Sequence, residues 1–254
     1  MLMKSENVWD YQFQLSLDLL YYWLVMKILI IQPGRLGDIL ICLPIAKFYK
    51  DLGHEIYWPV LSEYSDTFNN IDYVEPIEIF SGIGNCVSEC YKMTGDYDKV
   101  IDLSFGFPGS QVNSYHMNTE YASNFVEAKY KLSSVPYENR WNLSFTRNLE
   151  KENSLFKLKV SETPYTLVHD TGSSGRLITF NDPHIVVQPI SGYNIFDWYK
   201  VANESSEIYC IDSSFCHFIE TVKEFKDKKK YFVDVRNNIP WTKTIWKNNW
   251  NIIK

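Results

Sequence analysis

Three short stretches combine turn-forming residues with side chains able to bind or react. In Pro33-Gly34-Arg35-Leu36-Gly37-Asp38 a carboxylate follows two glycines, where an apolar run gives way to helical spacing. Gly34 and Gly37 let the backbone approach a ligand closely or take positive φ. A helix starting there offers unpaired N–H groups to an anion or a substrate oxygen, with Asp38 at its mouth. Asp170-Thr171-Gly172-Ser173-Ser174-Gly175-Arg176 groups hydroxyls, glycines and a guanidinium. That set suits an anion, because N–H and O–H donate and Arg adds charge. Asp212-Ser213-Ser214-Phe215-Cys216-His217 places an aspartate and two serines directly after an apolar run. Each stretch also has a plainer explanation. Asp38 would be a helix cap, residues 170–176 a surface loop, and Asp212 and Ser213 an N-cap with His217 packed on its own helix.

The apolar runs must hold these loops in place. Residues 27–32 are β-branched and apolar, as in a parallel strand covered on both faces. From Ile39 the apolar residues Ile39, Leu40, Leu43, Ala46 and Phe48 recur at the spacing of an amphipathic helix, which Gly53 stops. Residues 54–60 read as a second strand, with Pro59 marking its end or a sheet edge. A short helix over 62–68, a strand over 71–77, a helix over 85–93 and a strand over 96–104 follow. Ligands gather beyond the carboxyl ends of strands in open α/β sheets, which places Ser104 and its turn-rich loop near a substrate. Asp102 has the alternative of capping that loop internally. Residues 120–131 and 147–160 read as helices, and Glu162-Thr163-Pro164 as a linker. Strands are expected over 165–169, 184–190, 208–211 and 231–236, with Asn194 capping a helix. Trp246 and Trp250, one turn apart, predict a final helix.

The stretch PGRLGDILICLPIAKFYKDLGHEI (residues 33–56) resembles the opening of glycosyltransferase family 9, the ADP-heptose:lipopolysaccharide heptosyltransferase type. Tyr97-Asp98-Lys99-Val100-Ile101-Asp102-Leu103 is similar to a strand of that family whose end faces the cleft. Asp212, Ser213, Ser214 and His217 match its second signature, with Ser214 in place of the commoner glycine. The resemblance implies an α/β GT-B-like fold, two Rossmann-like domains with parallel sheets facing a cleft. Residues 1–25 would be an extension, either an alternative start, an interfacial anchor or, as favoured, a helix packed on the domain, with 26–161 the acceptor-side domain and 162–254 the donor-binding domain. The second domain is shorter than the family's. One or more strand–helix units are missing between Arg176 and Ile208, where the nucleobase pocket is normally built.

The resemblance further implies inverting transfer from a nucleotide-sugar. Asp38 would be the base toward the acceptor hydroxyl, beside Gly34, Arg35, Gly37 and Ser104. Thr171, Gly172, Ser173, Ser174, Arg176, Asp212, Ser213, Ser214 and His217 would bind the donor. The acceptor would be a glycan or lipopolysaccharide-type molecule, and no metal or other cofactor is expected. A sugar-nucleotide-binding protein without transfer, or a sugar-nucleotide epimerase, is the alternative.

Composition narrows the classes. A chain of 254 residues fits one large domain or two small ones. The net charge of −6 leaves no basic face for nucleic acid. The run Lys226-Asp227-Lys228-Lys229-Lys230 reads as a solvated turn. Only Gly34-x-x-Gly37 follows the first strand, so the dinucleotide fingerprint is absent, as is a Walker A motif. Five cysteines lack a disulfide or zinc spacing and fit a reducing cytoplasm. Leu15 to Val25 is too short to span a bilayer and carries Asp18. A cytoplasmic protein is expected, with peripheral contact at the inner membrane face as a further option.

Overall fold

The computed structural model describes residues 25–112, 124–172, 175–176, 178–235 and 245–253. The helix expected in the N-terminal extension, the first turn of the 120–131 helix, Ser173, Ser174 and the side chain of Arg176 lie outside the described residues.

The first half contains β1 (Lys27–Ile31), α1 (Leu36–Asp51), β2 (Glu55–Leu61), a 3-10 segment (Ser62–Asn70), β3 (Glu75–Ile79) and α2 (Cys86–Met93). It continues with β4 (Lys99–Asp102), α3 (Phe125–Leu132), a 3-10 turn (Tyr137–Trp141) and α4 (Leu149–Lys159). Its strands form a wholly parallel sheet in the order β3-β2-β1-β4. The second half contains β5 (Thr166–His169), the small hairpin β6 (Thr171–Gly172) and β7 (Gly175–Arg176), and β8 (Ile185–Val186). A 3-10 turn (Ile195–Trp198) then runs into α5 (Tyr199–Glu204), followed by β9 (Glu207–Cys210), α6 (Ser214–Thr221), β10 (Lys230–Val233) and β11 (Trp250–Ile253). These strands form a second parallel sheet in the order β11-β10-β9-β5-β8.

The shortening expected in the second half has a clear structural form. Beyond β5 the sheet carries a single strand, β8, of two residues. A doubly wound half of the order 3-2-1-4 carries two strands on that side. In both sheets the strand order reverses beside the half's first strand, between β1 and β4 and between β5 and β9. The loops that leave these strands open a crevice at such a reversal.

Several local expectations are corrected. α1 is not amphipathic: Ile39 to Ala46 are all buried, because α6 and the Tyr137–Trp141 turn cover the side away from the sheet. Pro59 lies inside β2, an interior strand. The β1 ladder stops at Leu29–Tyr57, two residues earlier, so the missing N–H breaks no bond on that side. The tail forms a strand, β11, parallel to β10, rather than a helix. In the 226–230 run Lys226, Asp227 and Lys229 are exposed, Lys228 is half-buried and donates to the Asn203 and Ser205 carbonyls, and Lys230 departs from the expected solvated turn. Lys230 is fully buried and donates to the carbonyls of Phe225 (2.6 Å) and Lys226 (2.9 Å), and burial lowers its pKa to about 8.

The two sheets share one continuous core. Phe145 stacks on Phe196 of the second half at 4.6 Å, and α4 packs on α5. Each buried Leu, Ile or Phe in this core contributes roughly 1.5–3 kcal/mol. All five cysteines are buried, and burial pushes the Cys42 thiol up to about 12. No helix among the described residues is long and apolar enough to cross a membrane.

Candidate functional site

β1 ends on Ile31, and Gln32 to Arg35 turn the chain into α1. Gly34 is buried, and a Cβ there would lie 3.0 Å from Leu61 and 3.3 Å from Tyr64. Close approach, not positive φ, requires that glycine. Arg35 takes the left-handed conformation instead, with φ of 58°. Its carbonyl accepts from the N–H groups of Asp38 (2.8 Å) and Ile39 (3.1 Å), which closes the first turn. Its guanidinium lies over Phe107 at 4.5 Å and donates to the Gly106 carbonyl at 3.1 Å. Arg35 thereby ties the loop after β1 to the loop after β4, across the reversal point.

Asp38 sits in the first turn of α1, with 19 % of its side chain exposed. Its Oδ1 lies 3.3 Å from Nζ of Lys129, whose side chain is 1 % exposed. The same ammonium donates to Gln32 Oε1 (2.6 Å) and the Leu103 carbonyl (2.8 Å), and lies 4.4 Å from the Phe105 ring centre. Sequence reading missed Lys129. It stands between Ala128 and Lys131 on a helix whose charged residues look like a solvated face, and no local signal separates it from Lys131.

The second half supplies the opposite wall. β5 leads through Asp170 into Thr171 and Gly172, and β9 leads through Asp212 into α6. Ser213 caps α6 with φ of −159°, its hydroxyl accepting from the Cys216 N–H at 3.3 Å. Asp170 is buried, and its carboxylate accepts from the Thr171 hydroxyl at 2.9 Å. His217 is buried one turn into α6, 4.7 Å from Trp246 and 6.4 Å from Phe125 between ring centres. Burial, together with the Arg140 and Lys129 charges, holds His217 well below the usual imidazole range. His169, stacked on Phe215 at 5.7 Å, is lowered to about 4 by burial. Both imidazoles are therefore neutral at neutral pH.

The two walls enclose a cleft of about 950 Å³. Gly37 brings the halves together: a Cβ on it would lie 3.2 Å from His217 and 3.5 Å from the Ser214 Cα. The starts of α1 and α6 thus converge on one space, and both helix dipoles place positive ends there. Arg35, Gly37, Asp38, Thr171, Gly172, Asp212, Ser213, Ser214 and His217 all line it. Tyr64, Phe125 and Gln188 join them without having been anticipated. Ser104 does not line the cleft. It is fully buried, and its hydroxyl donates to Asp102 (2.6 Å) and pairs with the Ser110 hydroxyl at 3.0 Å as acceptor. Asp102 therefore ties this loop internally, also accepting from Tyr91 at 2.5 Å.

Among the described residues no group of three or more His, Cys, Asp or Glu is placed to hold a metal. Asp96-Tyr97-Asp98 has Asp-x-Asp spacing but precedes β4, at the strand end away from the cleft. There Asp98 accepts from the Lys27 N–H at 2.8 Å.

Comparison with solved structures gives this arrangement a context. The E. coli ADP-heptose LPS heptosyltransferase II superposes with a TM-score of 0.54 at 10% identity, over 90% of each chain. The Veillonella parvula glycosyl transferase family 9 protein gives 0.52 at 10% identity, over 82% of this chain and 80% of that one. The chain has the GT-B-like fold of the family 9 glycosyltransferases. No protein-family model and no curated protein matches it in sequence. In this GT-B-like frame the cleft lies between the two parallel sheets, at both points of strand-order reversal.

Proposed function

We propose that the chain is an inverting, metal-independent glycosyltransferase that moves a sugar from a nucleotide-diphosphate donor to a hydroxyl of a glycan or lipopolysaccharide-type acceptor. Residues 26–161 form its acceptor-side lobe and residues 162–254 its donor lobe. The observation that carries this reading is the convergence of two helix starts on one cleft, Asp38 on the first and Asp212 to Ser214 on the second. An acceptor hydroxyl enters beside Gly37. Asp38 takes its proton while the oxygen bonds to the anomeric carbon. The bond from that carbon to the diphosphate oxygen breaks, and its electron pair leaves with the phosphate. Thr171, Gly172, Ser173, Ser174, Arg176 and the start of α6 bind the diphosphate, and Asp212 accepts from sugar hydroxyls. His217, neutral, lines the same cleft beside Ser213 and Ser214.

The experiment is a thermal-shift screen with nucleotide diphosphates and nucleotide-sugars, followed by transfer assays with the nucleotide family that binds. A ligand of the native state raises the melting temperature. A shift that weakens in Asp212→Ala, and transfer that survives chelator, support the reading. Failure of every nucleotide to bind refutes it, and turnover restored only by Mg²⁺ or Mn²⁺ refutes metal-independence. The lone β8 beyond β5 favours one second reading, a protein that binds a sugar-nucleotide without transferring it. In that case Asp38→Ala leaves its cellular role intact.

A further inference from the structure

We infer that Lys129 is the positioning residue of this site, anchoring Asp38 by one carboxylate oxygen so that the other meets the acceptor hydroxyl. The inference rests on the proposed role of Asp38. An ammonium has three N–H groups and no acceptor. Three oxygens surround this one: Gln32 Oε1 at 2.6 Å, the Leu103 carbonyl at 2.8 Å and Asp38 Oδ1 at 3.3 Å. Gln32 is itself fixed, donating through Nε2 to the Gly34 carbonyl at 3.0 Å and accepting at its own carbonyl from Trp58 at 2.8 Å. Lys129 therefore joins α3 and the ends of β1 and β4 to the first turn of α1.

A purely structural side chain here would not need a charge. Burying an ammonium is costly, and an apolar residue of similar volume beside Phe105 would fill the space at less cost. What the charge adds is a fixed place for Asp38. The arrangement also tolerates the reaction. The acceptor proton passes to the carboxylate, the new C–O bond forms and the diphosphate leaves with the electron pair. Asp38 is then neutral, and Lys129 keeps the Gln32 and Leu103 oxygens until that proton is lost to solvent through the open cleft.

The test uses Lys129→Met and Lys129→Gln in the full chain, with kcat and KM for the donor measured per folded molecule, and a crystal structure of each variant. Lys129 does not line the cleft, so KM for the donor stays unchanged while kcat falls by on the order of tenfold to a hundredfold, as expected for a misplaced reactive group. The structures show the Asp38 carboxylate turned from its wild-type place. If both variants fold poorly, Gln32→Leu removes one of the three oxygens, leaves Lys129 in the chain, and lowers kcat in the same pattern. Wild-type kcat in a folded variant, or an unmoved Asp38 carboxylate, overturns the inference. A wild-type protein that binds no nucleotide overturns the glycosyltransferase reading instead, and the position of Asp38 still decides the role of Lys129.

Discussion

Gly37 and His217 meet across the join between the two halves, with 3.2 Å between an added Cβ on the first and Cδ2 of the second. That approach lets the starts of α1 and α6 share one cleft. Gly37→Ala requires the buried His217 ring to give by a few tenths of an ångström, and overpacking of this kind costs about 1–3 kcal/mol. Urea denaturation will show the loss, and nucleotide affinity will fall with it because the displaced His217 ring lines the cleft. An alanine variant with wild-type stability and affinity would show that the halves part freely.

Asp38 and Lys129 form a mostly buried pair. Removing one partner of such a pair costs about 3–5 kcal/mol, because the other charge is left buried. Asp38→Asn is therefore expected to lower the denaturation midpoint as well as abolish transfer. The double variant Asp38→Asn/Lys129→Met is expected to recover the charge-burial part of the loss, though Gln32 Oε1 and the Leu103 carbonyl lose their donor, and none of the activity. Recovery of neither would mean that Asp38 stabilises the fold by some route other than Lys129.

Glu220 is fully buried on α6 and gathers the tail. Its carboxylate accepts from Trp250 Nε1 (2.7 Å), Trp141 Nε1 (3.1 Å) and the Lys247 N–H (3.1 Å). Glu220→Gln sets an amide NH2 against these donors and leaves buried groups unsatisfied, at a cost of about 2–5 kcal/mol. The expected signature is faster proteolysis within residues 245–253 and a red-shifted tryptophan emission. Unchanged cleavage would mean that β11 is held by its β10 ladder alone.

His169 supplies a pH dependence. Its folded pKa is about 4 against an ordinary 6.5. Between those values the unfolded chain binds a proton that the native protein does not, so stability rises with pH across that interval and is lost on acidification. The full effect is roughly 3 kcal/mol. Denaturation at pH 7.0 and pH 4.5 will register it, and His169→Gln will flatten the difference. An equal difference in the variant would assign the acid sensitivity to other groups.

The sequence by itself determined the strand–loop–helix at residues 27–51, the capped helix after Asp212 and the parallel α/β class. These follow from local patterns: apolar runs, turn residues and cap chemistry act within a few positions of one another. It also showed the shortening between Arg176 and Ile208, since a missing unit shortens the chain. Tertiary structure alone decided that Lys129 joins Asp38, because a partner 91 positions away has no local trace. It decided that Ser104 is buried, since both Asp102 outcomes suit the same turn-rich loop. It also set a strand, Trp250–Ile253, where the Trp246–Trp250 spacing predicts a helix. There the β10 edge offered a ladder of backbone hydrogen bonds and Glu220 offered acceptors, and together they override a helical spacing of two aromatics.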